Sequence, residues 1–335
     1  MEFKCRQIAL DRVDGDNTFY RISTGECSPQ LVRSIETLGL INPPILDASG
    51  QRYTIITGFA RIDACRQIGM QAIPCHLMRS ESGPEQRARI AISDNAMSRD
   101  LNLIEQANAI RLLARVQDID LQLVQASRQC GLAVNQEMVE TLLTVGRMSP
   151  TLQDALLEGF IALPVALRLN AMEEQPAADA FIQLLEQLRI GLNRQREIID
   201  WVIAISRRDA IPVEKLLNKG ALGRLRHDGN MDRGTRGRLI RQSIRSMRYP
   251  SITRHEAEYA RTVKSMRLTK GTQLLAPANF EGQTYSLKFD FQNYADLLRQ
   301  REEFGRIMKS RAIHELLDLI NLTNNQAKNY CKPNK

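Results

Sequence analysis

Residues 53–64 combine residue types that bind phosphate. The apolar run at residues 53–56 predicts a strand that ends at Thr57 and Gly58, and a helical pattern with Arg61 near its start follows at once. Backbone N–H groups at the start of a helix, together with a guanidinium, favour an anion at one point. Because glycine follows a strand in many α/β proteins, a purely structural turn remains an alternative.

A second group of polar residues lies at a predicted junction between two helices. Asp94 and Asn95 stand near the end of one helical pattern, and Arg99 precedes the next. A carboxylate or amide can ligate Mg²⁺, and arginine pairs with phosphate oxygens through two N–H groups. Both groups together predict a site for a phosphate chain with a cation. The candidate nucleotide-binding residues are Thr57, Gly58, Arg61, Asp94, Asn95 and Arg99, with Asn95 as the candidate Mg²⁺ ligand.

The chain has neither the GxxxxGK[ST] pattern of a P-loop nor the GxGxxG pattern of a Rossmann site, which argues against both.

A third group of residues is typical of DNA recognition. Residues 121–130 and 136–148 predict two helices joined by a turn at Gly131. Asn and Gln at the start of the second helix can pair with adenine, and Glu can accept from cytosine. A solvated helix face remains the alternative for each. The candidate DNA-binding residues are Asn135, Gln136, Glu140, Thr141, Arg147 and Arg168.

The positive charge is concentrated in one segment. The net charge is +8, and residues 219–248 hold nine Lys or Arg against two Asp. A polyanion partner follows, with nucleic acid ahead of anionic lipid because no apolar face accompanies the charge. A solvated basic surface is the alternative. Residues 220–237 are rich in Gly, Arg and Asp without an apolar period, and residues 239–247 predict a short basic helix. We therefore predict a basic linker over residues 219–248.

Composition narrows the class of protein further. The six cysteines show no CxxC spacing and the four histidines are scattered, which favours free buried thiols over a disulfide framework or a zinc site. No apolar run approaches the ~18 residues of a membrane span, and the first ten residues do not read as a signal peptide. We therefore expect a cytoplasmic protein, associated with the nucleoid or a plasmid, without a membrane partner.

The elements that position these residues predict an α+β, mostly helical protein. Short apolar runs alternate with helical patterns up to about residue 80, and the helical period then continues for over 120 residues. Alternating apolar residues at 285–291 predict a strand paired with 273–276, followed by a helix over 294–320. The predicted domains are a small α/β nucleotide-binding domain (1–115), an all-α domain with the helix-turn-helix (116–218), the basic linker (219–248), a small α+β dimerisation domain (249–320) and a disordered tail (321–335).

The order of these patterns resembles the ParB/Spo0J/RepB family of partition proteins. Residues 58–64 resemble the family's GERRxRA box, and residues 94–105 resemble its ENxQRxxLxxxE box. Upstream, the family's Ser-Ile-x-x-x-Gly-Leu-x-x-Pro is matched by Ser34, Ile35, Gly39, Leu40 and Pro43. The resemblance covers about residues 6–175 in one order, which makes it more specific than either box alone.

The resemblance implies a function. It implies a ParB-like N-terminal domain that binds CTP or another nucleoside triphosphate with Mg²⁺ and hydrolyses it weakly. It also implies that the helix-turn-helix binds a centromere-like site in double-stranded DNA. In this family the nucleotide closes a homodimer into a clamp on DNA, and a ParA-type ATPase is the partner in plasmid or chromosome partition.

Departures from the family boxes leave alternatives open. Ala60 stands where the first of two arginines is usual, and Ser98 stands at the arginine position of the second box, one residue before Arg99. Losing one charged phosphate contact costs on the order of 1.5–3 kcal/mol. The chain could therefore be a DNA-binding transcriptional regulator with a decayed nucleotide pocket, or a kinase or nuclease built on the ParB N-terminal fold.

Overall fold

The computed structural model describes residues 3–78, 82–116, 121–277, 280, 284–314 and 316. The chain divides into two compact units, residues 1–196 and residues 197–335. The predicted α+β, mostly helical class is confirmed. The predicted tail at 321–335 lies outside the described residues.

A mixed five-stranded sheet opens the first unit. Its strand order is β1-β5-β3-β4-β2. Central β3 runs parallel to β5 and antiparallel to β4, so that Ile45 of β3 pairs with Thr57 at the end of β4. The predicted phosphate-binding turn after Thr57 therefore starts from a strand whose last residue is paired within the sheet. The strands are β1 Lys4–Ala9, β2 Val13–Asp14, β3 Ile45–Asp47, β4 Tyr53–Thr57 and β5 Ala72–Leu77.

Two helices pack on this sheet and follow the predicted start and stop signals. Helix α1 spans Pro29–Leu38, and the hydroxyl of Ser28 caps it by accepting from the N–H of Leu31. Helix α2 spans Phe59–Ile68 and ends at Gly69 in the left-handed conformation. One buried cluster that includes Ile55, Ile62 and Ile73 joins α2 to the sheet. This packing fixes the start of α2 relative to β4.

The rest of the first unit is helical. Helices α5 and α6 form the predicted helix-turn-helix, and six residues, 130–135, separate them. This connection is longer than the three to four residues of a tight turn, and it passes through Gly131 with φ near 90°. The helices are α3 Pro84–Ser98, α4 Leu103–Val116, α5 Leu121–Gln129, α6 Gln136–Val145, α7 Pro150–Leu157, α8 Leu163–Asn170 and α9 Gln175–Leu188.

The second unit contains helices and the predicted hairpin. Strands β6 and β7 are antiparallel, with Leu274 opposite Leu287. The final predicted helix begins at Tyr294 as expected but ends at Met308, because the chain turns at Ser310, whose N–H donates to the carbonyl of Ile307. None of the helices in the described ranges has the length and apolarity that a membrane span requires. The elements are α10 Leu192–Asp209, of which residues 192–196 belong to the first unit, α11 Val213–Asn218, α12 Gly220–His227, α13 Arg233–Arg248, α14 Pro250–Ser265, β6 Thr272–Leu275, β7 Ser286–Phe289 and α15 Tyr294–Met308.

Segment 219–248 folds as α12 and α13, so the irregular structure predicted at residues 220–237 is wrong, whereas the short helix predicted at residues 239–247 lies within α13. The side chain of Asp232 caps α13 by accepting from the N–H of Thr235 at 3.0 Å. Ile240 and Ile244, four residues apart, are fully buried on one face of that helix. Two well-placed isoleucines and a cap are enough to dock a helix that is otherwise basic.

Candidate nucleotide-binding site

The start of α2 and the end of α3 line one cleft of about 650 Å³ in the first unit. Five of the six predicted nucleotide-binding residues line it, namely Gly58, Arg61, Asp94, Asn95 and Arg99. The sixth, Thr57, is buried behind them at 1% exposure, and its hydroxyl has no hydrogen-bond partner among the described residues. Two sequence groups more than thirty residues apart therefore meet at one site, as the phosphate-site prediction requires.

Gly58 shapes the floor of this cleft. Its φ is 88°, in the left-handed region that side chains disfavour, and an added Cβ would lie 2.7 Å from the Cβ of Pro44. No side chain caps α2, so the N–H groups of its first turn keep their capacity to bind an anion. The cradle therefore fits the phosphate chain that the sequence predicts there.

Arg61 connects α2 to α3 across the cleft. Its Nη1 donates to the carbonyl of Asn42 at 2.8 Å, and its Nη2 donates to Oδ2 of Asp94 at 3.1 Å. Both partners leave the guanidinium at the cleft wall, with 22% of the side chain exposed. Asp94 partly neutralises Arg61, so an incoming phosphate has to compete with this carboxylate or share it with a cation.

Asn95 is the predicted cation ligand. Its Nδ2 donates to the carbonyl of Ala91 at 2.8 Å, which leaves the amide oxygen as the group that could ligate Mg²⁺. Within the described ranges, no three His, Cys, Asp or Glu side chains gather into a metal-binding group. A Mg²⁺ at Asn95 therefore fits only as a cation that shares phosphate oxygens and water, which is its usual coordination with nucleotides.

Arg99 is held by Glu105, the last residue of the segment 94–105 that resembles the second family box, in a pairing that the sequence analysis did not predict. Its Nη1 and Nη2 donate to the two oxygens of Glu105 at 2.6 and 2.7 Å. Glu105 is 2% exposed and also accepts from the N–H groups of Asn102 and Thr24. Burial raises the pKa of Glu105, but these hydrogen bonds outweigh it and hold the pKa below its ordinary value. Arg99 therefore lies at the cleft with its charge already paired.

The segment before α1 supplies the part of the cleft that the sequence did not reveal. Tyr20, Ile22 and Ser23 line it, and the first two are largely buried. The segment is anchored to α4 by a hydrogen bond from Asn102 Nδ2 to the hydroxyl of Thr24 at 2.9 Å. It has no helical or strand period, so only its two apolar residues could have indicated that it packs on the domain. It adds an apolar wall to a cleft that is otherwise polar.

The candidate DNA-binding residues lie where α6 begins and on the helices beyond it. The side chain of Asn135 caps α6 by accepting from the N–H of Met138 at 2.8 Å, so part of its hydrogen-bonding capacity is used locally. Gln136 is exposed and donates to Glu140 at 3.3 Å, four residues further along the same face. Their contacts with DNA stay a prediction. The other candidates are half-buried Thr141 and exposed Arg147 and Arg168.

Residues 7–96 match the family described as the ParB N-terminal domain. This segment contains the sheet, α1, α2 and the part of α3 that carries Asp94 and Asn95. The class of this domain is thereby defined, and the resemblance seen in the sequence is confirmed over residues 7–96.

The matched relatives include a nucleoid occlusion protein and a plasmid-partitioning protein ParB. The chain is 27% identical over 169 residues to a nucleoid occlusion protein from Shouchella clausii, a match that covers 50% of this chain and 58% of that protein. It is 29% identical over 213 residues to a probable plasmid-partitioning protein ParB from Deinococcus radiodurans, covering 56% and 68%. The chain thus spans less than two thirds of the length of the first of these relatives. A solved structure of C-terminally truncated ParB from Caulobacter crescentus, complexed with CTP-gamma-S, is 18% identical, with 55% and 98% coverage and a TM-score of 0.26.

Proposed function

We propose that the chain is a DNA-binding protein of ParB type whose N-terminal cleft binds a nucleoside triphosphate, CTP first, together with Mg²⁺. The observation that carries the proposal is the meeting of Gly58, Arg61, Asp94 and Asn95 around one cleft. All four lie within the ParB N-terminal domain match at residues 7–96. CTP is the nucleotide that the family resemblance implies.

Different groups in the cleft would hold the phosphates, the cation and the base of a nucleotide. The N–H groups of the first turn of α2 and the guanidinium of Arg61 would hold phosphate oxygens. The amide oxygen of Asn95 would hold the cation, whose charge would offset the carboxylate of Asp94 beside the phosphates. Leu31 and Ile45, which line the cleft and are partly exposed, offer apolar surface for the base.

Calorimetry on the full chain tests the nucleotide part of the proposal. CTP, ATP, GTP and UTP are titrated in turn with Mg²⁺, and phosphate release is followed for a weak CTPase. We expect saturable binding with CTP tighter than the other three. The absence of binding by all four would remove the nucleotide switch and leave the DNA-binding part to be tested separately.

We propose further that α5 and α6 bind a defined sequence in double-stranded DNA. Exposed Gln136 and Glu140 at the start of α6 are suited to base edges in the major groove. Selection of duplexes from a random pool by the full chain, followed by sequencing, should enrich one motif. Uniform recovery of all sequences would contradict sequence-specific binding.

A transcriptional regulator with a decayed pocket is the second candidate. Two observations favour it: Arg61 and Arg99 are each paired with a carboxylate, and Ala60 and Ser98 line the cleft where the family boxes have arginine. Under this alternative the DNA motif is bound equally well with and without CTP. Under the first proposal, CTP changes the lifetime of the DNA complex.

A homodimer completes the proposal. Helix α15 exposes Tyr294, Leu297, Phe304 and Met308, which follow one another at three, seven and four residues and so lie near one face. A second copy of the chain would remove this row from water. Partition of a plasmid or chromosome is the role we infer from the ParB-named relatives. A ParA-type ATPase is the partner that the family resemblance implies.

A further inference from the structure

A second cleft of about 310 Å³ lies between residues 18–23 and helix α4 in the first unit. Three arginines, Arg21, Arg111 and Arg115, dominate its polar lining, and none of the described residues that line it carries a carboxylate. Ser23 lines both this cleft and the nucleotide cleft. The remaining lining residues are Thr18, Phe19, Asn108 and Leu112.

Neutral groups contact all three arginines, and one carboxylate, that of Asp63, lies near Arg21. Nη1 of Arg111 donates to the carbonyl of Gly146 at 2.6 Å, and the guanidinium of Arg115 lies 5.6 Å from the ring centre of Phe19. Nη2 of Arg21 donates to the carbonyl of Gly25 at 3.1 Å. Asp63, at 3.9 Å from Arg21, is the acidic side chain recorded nearest to that arginine among the described residues. The three charges are therefore placed but incompletely compensated.

Two of the charges oppose each other on one helix. Arg111 and Arg115 are four residues apart on α4 and so share a face, where like charges repel. Burial lowers the pKa of Arg111, and the charge of Arg115 lowers it further. An anion between the two guanidinium groups would turn this repulsion into attraction.

We propose that Arg21, Arg111 and Arg115 form a phosphate-binding site distinct from the cleft at Gly58 and Arg61. Guanidinium groups suit the oxyanion of a phosphate because each offers paired N–H donors. The phosphate could come from the DNA backbone or from a nucleotide. The bond from Arg111 to Gly146, which ends α6, attaches the site to the predicted recognition helix and favours DNA as the source.

The test uses the full chain and inorganic phosphate at constant ionic strength. Calorimetry compares the wild type with Arg115→Gln, Arg61→Ala and the control Arg33→Gln, which removes an exposed charge of α1 that lines neither cleft. We expect saturable phosphate binding that survives in Arg61→Ala and Arg33→Gln and is at least about tenfold weaker in Arg115→Gln. Melting temperatures confirm that each variant is folded. If Arg115→Gln does not fold, Arg115→Lys takes its place, because it keeps the charge but loses the paired N–H donors.

Two results would overturn the proposal. One is the absence of saturable phosphate binding to the wild type. The other is binding that is lost in Arg61→Ala and kept in Arg115→Gln, since phosphate would then occupy the nucleotide cleft alone. If phosphate binds as expected, two further measurements distinguish a DNA phosphate from a nucleotide phosphate. If the phosphate belongs to DNA, the plot of log K for DNA binding against log salt is less steep by about one in Arg115→Gln than in the wild type. If it belongs to a nucleotide, Arg115→Gln weakens CTP binding and leaves that plot unchanged.

Discussion

Arg61 and Arg99 illustrate how pairing with carboxylates sets the chemistry of single residues in the cleft. Arg61 donates to Asp94 and Arg99 donates twice to Glu105. A phosphate that recruits either guanidinium has to replace or share an existing charged hydrogen bond, so only the difference between the two contacts adds to affinity. We therefore expect weaker nucleotide binding than in a cleft with both family arginines.

Restoring the missing guanidinium at position 60 tests this expectation. Ala60 lines the cleft on the first turn of α2. We predict that Ala60→Arg tightens CTP binding about tenfold or more, because a charged phosphate contact contributes roughly 1.5–3 kcal/mol. The matched control is Gln67→Arg, which adds the same charge to an exposed position of α2. Equal gains in both variants would assign the effect to general charge instead of a placed contact.

Glu105 gives a prediction about stability and pH. Because its pKa in the folded chain lies below the ordinary value of 4.5, its stabilising contribution is complete at neutral pH and is lost as the pH falls through the folded pKa. We predict that Glu105→Gln lowers the free energy of unfolding by about 1–3 kcal/mol at pH 7, with the difference from the wild type narrowing below pH 4.5. Urea unfolding at a series of pH values measures it. Exposed Glu85→Gln is the control, and an equal loss there, or a gap that does not change with pH, would contradict this account.

At the scale of elements, the N-termini of α2 and α6 are the places where we propose that a phosphate and DNA bind. Helix α2 has no side-chain cap and keeps its first-turn N–H groups for an anion. Helix α6 is capped by Asn135, so the same residue that could read a base also stabilises the helix. The two roles of Asn135 can be separated by the choice of substitution.

Substitutions at the start of α6 make that separation. We predict that Asn135→Ala lowers stability by about 1 kcal/mol and weakens DNA binding, whereas Asn135→Ser keeps the cap and stability but still binds DNA more weakly. Gln136→Ala should weaken binding to the selected motif by roughly 1–3 kcal/mol without loss of stability. Fluorescence anisotropy and thermal unfolding supply the two readouts. Full DNA binding by Asn135→Ser would leave Asn135 with the capping role alone.

Local signals account for what the sequence predicts correctly. Helix α1 begins after Ser28 and ends at Gly39, and helix α2 begins after Gly58 and ends at Gly69. These limits were predictable because caps and glycine turns act within a few residues. Helix α12 was missed because its buried apolar residues, such as Leu222, are too few among Gly and Arg to give a visible period. The placement of residues 18–23 arises from tertiary contacts, which spacing along the chain does not reveal. The pairing of Arg99 with buried Glu105, six residues away, depends on the turn between α3 and α4 that brings the two side chains together.

For the whole molecule, the fold changes how the net charge of +8 is used. Arg226 is buried and donates to Asn218, and Arg245 pairs with Glu256 at 2.7 and 2.8 Å. Part of the basic segment therefore stabilises the second unit and is not free to neutralise DNA phosphates. Nonspecific DNA binding should accordingly be weaker than nine free basic residues would give.

The proposed homodimer is tested on the exposed row of α15. We predict that the wild type sediments as a dimer and that Phe304→Glu shifts it to a monomer, because a buried charge at a helix interface is left without a partner. Ala295→Glu, an exposed position of α15 away from that row, is the matched control and should remain dimeric. A monomeric wild type, or a Phe304→Glu variant of unchanged mass, would contradict dimerisation through α15.

The affinity of the full chain for CTP with Mg²⁺, compared between the wild type and Arg61→Ala, tests the central claim most directly. Arg61 is the single guanidinium that lines the cleft from α2 among the described residues, and Arg33→Ala removes an equal charge outside it. The account predicts saturable binding by the wild type and by Arg33→Ala, with a Kd at least about tenfold higher in Arg61→Ala. No CTP binding by the wild type, or an unchanged Kd in Arg61→Ala, would contradict it.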